Sequence, residues 1–248
     1  MDLPRSFVVR ERHHRIHNPI DEVKLAVLGR ALQLRPGTTM LDLACGSGEM
    51  LCTWARDHGI SGTGVDISTV FVEQARTRAV ELGVAGSVTF VHDDAAGFVA
   101  AEPVDVTACI GATWIGNGLP GTIELLERSL RPGGLMLIGE PYWREEPPDE
   151  AAVHGSGIAN KNDYSDLPGL VESYGKLGWD LVEMVLADRD SWDRYVAAQW
   201  LTVRTWLDEN PDDELAPDFR AELDTAPLNY VRYQRRYLGW GVFALRKR

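Results

Sequence analysis

The amino-acid sequence predicts an α/β fold with a Rossmann-like, doubly wound sheet of seven strands. Strands and helices alternate from residue 22 to residue 140, which is typical of a parallel sheet covered on both faces. A turn with two glycines joins the first strand to the helix that follows it. A helix and two more strands are expected beyond residue 166, and 248 residues suit one large domain or two small ones.

The alternating part begins with a helix over 22–34, which ends before Arg35-Pro36-Gly37 because proline and glycine disfavour its continuation. Short apolar runs bounded by turn residues predict the strands, and helical periodicity predicts the helices. The strands are expected at 40–43, 62–66, 88–92, 104–112 and 135–140, with helices at 49–58, 68–82 and 122–130.

The end of the chain departs from simple alternation. Residues 167–177 predict a helix, 179–187 alternate like a strand, and 238–245 predict the last strand. No helix is expected immediately before that last strand, because residues 226–234 are rich in turn formers.

Two segments are extra to the core of this single domain, which spans residues 1–248. The first, at 1–21, is polar and basic and is predicted to be an N-terminal cap. The second, at 188–236, is predicted to be a helical lid insertion with helix-capable stretches at 191–208 and 217–223. Its first stretch carries aromatic residues at helix-compatible spacing, namely Trp192, Tyr195, Trp200 and Trp206.

Asp42 lies near the end of the first strand, and Gly46 and Gly48 follow in the turn before the next helix. Glycine lets the backbone approach a ligand closely, and a helix N-terminus adds free N–H groups with positive partial charge. The turn therefore predicts a site for a nucleotide-like cofactor. A dinucleotide is disfavoured, because its G-x-G-x-x-G fingerprint would place a small residue where this chain has Leu51 or Glu49.

The run D-L-A-C-G-S-G at 42–48 resembles motif I of the class I S-adenosylmethionine (SAM) dependent methyltransferases, D-x-G-x-G-x-G, with Ala44 at the first glycine. Asp66 at the end of the second strand, Asp94 after the third, and L-R-P-G-G at 130–134 follow in the family's order. The segments G-A-T-W-I, G-E-P-Y-W and W-G-V-F-A at 111–115, 139–143 and 240–244 are similar to a bacterial methyltransferase family without a defined substrate.

The resemblance implies SAM as the cofactor and a seventh strand that lies antiparallel between the fifth and sixth, the other six being parallel. It implies that Asp66 accepts hydrogen bonds from the ribose hydroxyls and that Asp94 meets the adenine amino group, with Asp93 as the close rival. The implied cofactor residues are Asp42, Ala44, Cys45, Gly46, Gly48, Asp66, Ile67, Asp94, Ala95 and Gly111.

Ligands of such sheets bind beyond the carboxyl ends of the strands, so the loops after the fourth and fifth strands are expected to hold the methyl acceptor. Glu140 is the first candidate for a catalytic base or an orienting anion, and pairing with an arginine is an equal alternative. His14 is a second candidate, with His17 and His154 beside it. The aromatic candidates for binding the acceptor are Trp114, Tyr142, Trp143 and Tyr195.

The net charge of −12 disfavours nucleic acid and anionic membranes as partners, since both need a basic surface. No signal segment or membrane span is evident, so the cytoplasm is expected. Cys45, Cys52 and Cys109 are expected to be reduced, and no metal spacing is present. The acidic balance favours a neutral or amine-bearing small-molecule acceptor, whereas the arginines near both termini favour an anionic one.

Two other functions remain open from the residues alone. One is a SAM-binding protein without turnover, since an intact cofactor site does not by itself require catalysis. The other is an NAD(P)-dependent oxidoreductase, which the glycine spacing disfavours.

Overall fold

In a computed structural model that describes residues 2–248, the chain forms a seven-stranded sheet with helices on both faces. Met1, the first residue of the predicted N-terminal cap, lies outside the described residues. The strand order is 3-2-1-4-5-7-6. The strands are β1 (Thr39–Leu43), β2 (Ser61–Asp66), β3 (Val88–His92), β4 (Val104–Ile110), β5 (Leu130–Trp143), β6 (Trp179–Leu186) and β7 (Leu238–Lys247).

The helices connect these strands and form two further groups, one at the N-terminus and one before β7. They are α1 (Arg5–Glu11), α2 (Glu22–Ala31), α3 (Glu49–His58), α4 (Thr69–Glu81), α5 (Leu119–Glu127), α6 (Glu150–Gly155), α7 (Leu167–Lys176), α8 (Arg189–Glu209), α9 (Ala216–Asn229) and α10 (Arg235–Tyr237). Short 3₁₀ turns lie at Ala95–Gly97, Thr113–Gly116 and Lys161–Asp163. In the part of the chain that the structure describes, no helix is both long and apolar enough to cross a membrane.

The predicted topology is confirmed. β1 lies parallel to β2 and β4, β2 to β3, and β4 to β5. β7 inserts between β5 and β6 and runs antiparallel to both. The carboxyl ends of β1, β2 and β4 therefore meet at one edge of the sheet, where ligands of doubly wound folds bind.

Alternate side chains of each strand face opposite layers of helices. Met40 of β1, Ala108 of β4 and Val242 of β7 pack in a core with α2, α3 and α4. Their strand neighbours, such as Leu41 and Phe243, pack in a second core with α5 and α7. Any side chain on a strand end is therefore directed to one layer or the other by its register.

Carboxylates and hydroxyls begin several helices. Asp21 accepts a hydrogen bond from Lys24 N at the start of α2, and Ser68 accepts one from Phe71 N at the start of α4. Because Ser68 caps α4, Asp66 is not needed as a cap and its carboxylate stays at the edge of the sheet.

Two differences from the sequence-based expectations concern the late chain. A helix does precede the last strand: α9, a π-helical segment at Tyr230–Gln234, and α10 continue into β7. The expected absence of a helix is wrong because tertiary contacts override the local turn preference: Tyr230 is buried, and its hydroxyl bonds Asp193, which also binds Arg235.

The second difference is the length of β5. The strand does not end at residue 140 but extends to Trp143, because its pairing with β7 continues as far as Trp143, which lies opposite Leu238. The sequence pattern ends the strand at Glu140 and predicts a loop from residue 141 onward. Residues 140–143 belong to the strand itself and therefore alternate between the two faces of the sheet.

Candidate functional site

The turn after β1 adopts a left-handed backbone at three alternate positions. Ala44 has a φ of 59°, Gly46 of 54° and Gly48 of 69°. A Cβ at Gly46 would lie 2.8 Å from His17 Nδ1, so this glycine lets the N-terminal segment close onto the turn. A Cβ at Gly48 would lie 2.6 Å from the Phe90 ring, so this glycine lets α3 pack against the sheet. The two glycines thus serve different purposes.

Ala44 carries the strain of its left-handed conformation, which costs an L-residue roughly 1–2 kcal/mol. We expect Ala44→Gly to raise the free energy of unfolding by about 0.5–1 kcal/mol, because the relief exceeds the added entropy of the unfolded chain. Ala44→Val should lower it by about 1–2 kcal/mol, since β-branched residues tolerate this conformation worst. Urea titration of both variants tests this order, and a valine variant as stable as the parent would contradict it.

Asp42, on β1, carries a buried carboxylate. Its side chain is 3% exposed, and within residues 2–248 its Oδ1 is buried without a hydrogen-bond partner. Burial, and then the nearby charge of Asp66, raise the pKa of Asp42 well above its ordinary value. A buried carboxylate without a partner is costly. Since it also lines a cavity, this carboxylate fits a cationic group of a ligand.

Asp66 is held rigidly at the end of β2. Its Oδ2 accepts a hydrogen bond from Gly46 N and its Oδ1 accepts one from Ser68 N, both at 2.8 Å. Burial raises the pKa of Asp66, whereas the two backbone bonds lower it. A carboxylate offers about four acceptor positions, so about two remain for a ligand.

One cavity of about 820 Å³ joins these residues. It lies within the roughly 300–1,000 Å³ of ordinary ligand sites. All the predicted cofactor residues except Gly48 line it, and Asp94 lines it whereas Asp93 does not. Trp114, 67% exposed, stands at its mouth. The sequence-based assignment of Gly48 to the cofactor site is therefore corrected. Gly48 does not line the cavity, and it packs against the Phe90 ring.

Residues 2–18, the N-terminal segment, cover this cavity. Most of the residues that they contribute to its lining were not identified as site residues from the sequence alone. The side chains of Leu3, Phe7, Ile16, His17 and Asn18 line the cavity. His17 Nε2 lies 3.0 Å from Ser47 Oγ, which donates to Gln74. Asn18 Nδ2 donates to Ile110 O, and its Oδ1 lies against Gly111, where a Cβ would approach to 2.2 Å. His17 and Asn18 thus contact the glycines that follow β1 and β4, Gly46 and Gly111 respectively.

The predicted lid at 188–236 contributes no side chain to the cavity. α8 and α9 instead pack against α1, with Trp206 and Phe219 around Val9. Tyr195 Oη lies 2.9 Å from Glu11 Oε1 and 3.1 Å from His17 O. The insertion therefore supports the N-terminal segment, and that segment covers the cavity.

This placement corrects two of the predicted site residues. Tyr195 and His14 do not line the cavity. His14 Nδ1 lies 3.0 Å from the buried carboxylate of Glu11, and the His14 ring packs 4.8 Å from that of Tyr195. Both residues are used to fix the N-terminal segment to α8, so the candidate base His14 and the candidate acceptor ligand Tyr195 face an interface between helices.

Glu140, Tyr142 and Trp143 need the same correction, because none of them lines the cavity. Glu140 and Tyr142 lie on the same face of β5 as Ile138, which is the face covered by α5 and α7. Trp143 lies on the other face, but it is buried and donates from Nε1 to Lys161 O. The extension of β5 by pairing with β7 sets these directions.

Glu140 instead anchors the loop after β4. Its Oε2 accepts a hydrogen bond from Thr113 Oγ1 at 2.9 Å, and the Thr113 carbonyl oxygen accepts one from Thr122 Oγ1. Burial raises the pKa of Glu140 to about 7, against a smaller lowering by the Thr113 bond. Trp114 and Ile115 of the same loop line the cavity, so the Thr113 bond connects Glu140 to a loop of the site.

We expect Glu140→Gln to preserve turnover, because the glutamine carbonyl still accepts the Thr113 bond. A buried acid with a raised pKa lowers stability as the pH rises from its unfolded pKa of about 4 to its folded pKa. Thermal unfolding above pH ~7 should therefore show the variant more stable by roughly 1–3 kcal/mol, with no gain below pH ~4. Glu140→Leu, which removes the acceptor, is the control and should raise the KM for the acceptor. Loss of turnover in Glu140→Gln would restore Glu140 as a base.

Among residues 2–248, no group of three or more His, Cys, Asp or Glu side chains is arranged to hold a metal ion. The three cysteines have no disulfide partner; Cys52 and Cys109 are buried and Cys45 is half-buried. Burial raises the pKa of the Cys45 thiol well above its usual value, so it lines the cavity as a neutral group.

Comparison with known proteins shows which proteins this chain is similar to. Residues 40–134 match a family described as a methyltransferase domain. The chain is 59% identical over 245 residues to the uncharacterized protein YjhP of Escherichia coli strain K12, and the match covers 99% of both chains.

Two solved structures are similar over nearly their whole length. One is a SAM-dependent methyltransferase from Geobacter sulfurreducens, with 61% identity, a TM-score of 0.98 and coverage of 100% of this chain and 99% of that chain. The other is a SAM-dependent methyltransferase from Thiobacillus denitrificans, with 58% identity, a TM-score of 0.98 and full coverage of both chains. Both are complexes with S-adenosylhomocysteine (SAH).

Proposed function

Because the chain belongs to the SAM-dependent methyltransferase family and its cofactor is SAM, we propose that it methylates a small-molecule acceptor bound in the same cavity. One observation carries this proposal: the glycine turn opens into a cavity of about 820 Å³ that residues 2–18 cover. A covered cavity of this size suits a small molecule and not a polymer.

The residues present fit SAM. Asp42 has a buried carboxylate oxygen without a partner among the described residues, and the α-ammonium of the cofactor would supply the missing donor. Asp66 has acceptor positions left for the ribose hydroxyls after its two backbone bonds. Asp94, whose Oδ1 accepts a hydrogen bond from Ala96 N, is held where the adenine amino group is expected.

When SAM is bound, an acceptor lone pair forms a bond to its methyl carbon while the carbon–sulfur electron pair passes to sulfur, which leaves SAH. The protein's part is to align the acceptor and to exclude water, and residues 2–18 serve the second need. His17 lines the cavity, and burial lowers its pKa, so its neutral imidazole can accept the proton that the acceptor releases. His17 thus takes the role that the sequence pattern suggested for His14.

The organisation of the chain follows from this proposal. Residues 188–236 hold the cap formed by residues 2–21 in place, and both belong to one domain with the sheet. The partner in catalysis is a small molecule, and the acidic balance of −12 gives no basis for nucleic acid or an anionic membrane. A cytoplasmic location stays a prediction.

Calorimetric titration of the purified protein with SAM and SAH, with NAD as the control, tests the cofactor part of the proposal. We expect SAM and SAH to bind and NAD not to bind. SAH formation in a pool of candidate acceptors then tests turnover. Binding without SAH formation in such pools would favour the alternative of a SAM-binding protein, and binding of NAD alone would overturn the proposal.

Asp66→Ala should weaken SAH binding by about 1–3 kcal/mol, because two hydrogen bonds to a charged group are lost. The matched control is Asp93→Ala, which removes an exposed carboxylate that does not line the cavity and should leave SAH affinity unchanged. Circular dichroism of both variants checks the fold. An unchanged SAH affinity in a folded Asp66→Ala protein would refute the ribose contact.

A further inference from the structure

Part of the cavity lining is apolar and does not belong to the predicted cofactor residues. Ile20, Leu25, Leu28, Met50, Ile110 and Val242 make up this part and together form the apolar chamber. They come from α2, α3, the end of β4, the middle of β7 and the stretch before α2. All lie in or against the core on the α2 side of the sheet, the same side to which Asp42 points.

The charges around the cavity are mostly negative. Asp2, Asp42, Glu49, Asp66 and Asp94 line it, and Arg15 is the one arginine or lysine among its described lining residues. Arg15 already lies 3.3 Å from Glu81. Because charges interact strongly where water is scarce, an anionic molecule would be repelled by these carboxylates.

Apart from Arg15, none of the arginines near the two termini lines the cavity. Arg5 and Arg10 pair with Asp213 and Glu222, at 2.6 Å each, and fix α1 to the region around α9. Near the other terminus, Arg235 pairs with Asp193. None of these arginines lines the cavity, so they give no support to the anionic acceptor that the sequence left open.

We infer that the methyl acceptor is a predominantly apolar small molecule without a negative charge, whose apolar body occupies the apolar chamber. This inference rests on the proposed function, since it concerns the acceptor of that reaction. Removing apolar surface from water supplies about 25 cal/mol per Å², so the chamber provides affinity without charge. Asn18 and His17, the polar side chains between the chamber and the cofactor turn, orient the acceptor's nucleophile.

The test uses protein saturated with SAH, whose binding is measured first by calorimetry. A failure of SAH to bind counts against the proposed function and is distinguishable from a failure of the acceptor probes to bind. 2-Naphthol and 2-naphthoate, two probes with one ring system, are then titrated at about pH 7, where a phenolic hydroxyl is neutral and a carboxyl is ionised. We expect 2-naphthol to bind at least about tenfold more tightly, which corresponds to about 1.4 kcal/mol.

Variants locate the probe. Leu25→Trp fills the chamber and should weaken 2-naphthol binding at least about tenfold, with SAH affinity unchanged. Val27→Trp is the matched control on the same helix, because Val27 is 41% exposed and does not line the cavity. It should leave both affinities unchanged.

Three outcomes would overturn the inference. They are 2-naphthoate binding as tightly as 2-naphthol, neither probe binding to the SAH-saturated protein, and a folded Leu25→Trp variant that binds 2-naphthol as the parent does. The first two use the unaltered protein, so the inference stays testable if the tryptophan variant does not fold.

Discussion

Asp42→Asn is expected to weaken SAH binding about 10- to 100-fold and, in the absence of ligand, to stabilise the protein. The first effect follows because the carboxylate, whose Oδ1 has no partner within residues 2–248, loses its charge-assisted bond to the ligand's ammonium, worth about 1.5–3 kcal/mol. The second follows because a buried, unpaired charge is removed. The same substitution is therefore expected to lower the affinity for SAH and to raise the stability of the free protein.

The pH dependence of this variant has a definite sign. Burial, then the Asp66 charge, raise the pKa of Asp42 above that of the unfolded chain, so the carboxylate lowers stability as the pH rises from about 4. The gain from Asp42→Asn, roughly 1–2 kcal/mol at neutral pH, should therefore vanish below pH ~4. Urea titrations at several pH values measure it.

Asp105→Asn provides a control of opposite sign. Asp105 accepts hydrogen bonds from Thr39 N and Thr39 Oγ1 and pairs with Arg131, on strands β1, β4 and β5 but away from the cavity. Its loss should lower stability and leave SAH affinity unchanged. The Asp42 prediction fails if Asp42→Asn binds SAH like the parent, or if it is less stable than the parent at neutral pH.

Gly48→Ala is expected to lower the free energy of unfolding by about 2–4 kcal/mol. Its φ of 69° costs an L-residue roughly 1–2 kcal/mol. The new Cβ would also lie 2.6 Å from the Phe90 ring and 2.8 Å from Ala75 Cβ, and such overpacking costs roughly 1–3 kcal/mol. For a chain of this length the loss corresponds to a fall in Tm of about 5–15 °C.

Calorimetry of the variant and two controls tests this cause. Gly86→Ala adds a Cβ where no atom lies within 4 Å and should change stability by no more than about 0.5 kcal/mol. Phe90→Leu combined with Gly48→Ala should recover part of the loss, because the two residues are in contact. A Gly48→Ala protein as stable as the Gly86→Ala protein would show that the helix accommodates the added atom.

The edge of the sheet that carries the site was predictable from the sequence. Asp42, Asp66 and Asp94 each follow or end an apolar strand, and parallel strands bring their carboxyl ends to the same edge. The tight turn was predictable as well, because glycines at 46 and 48 mark positions where a side chain is disfavoured. Only the purpose of Gly48, packing against Phe90, required the tertiary structure.

The sequence alone thus determined the fold class and the cofactor turn, because these depend on local patterns of apolar, glycine and acidic residues. The strand order was implied only by the family resemblance. The tertiary structure alone decided the cover of the cavity and the direction of Glu140. The cover depends on contacts such as Glu11 with Tyr195, which are 184 residues apart, and no local pattern encodes such a contact. Glu140 faces away because pairing with β7 extends β5 past it, and alternation along a strand then fixes the side on which each residue lies.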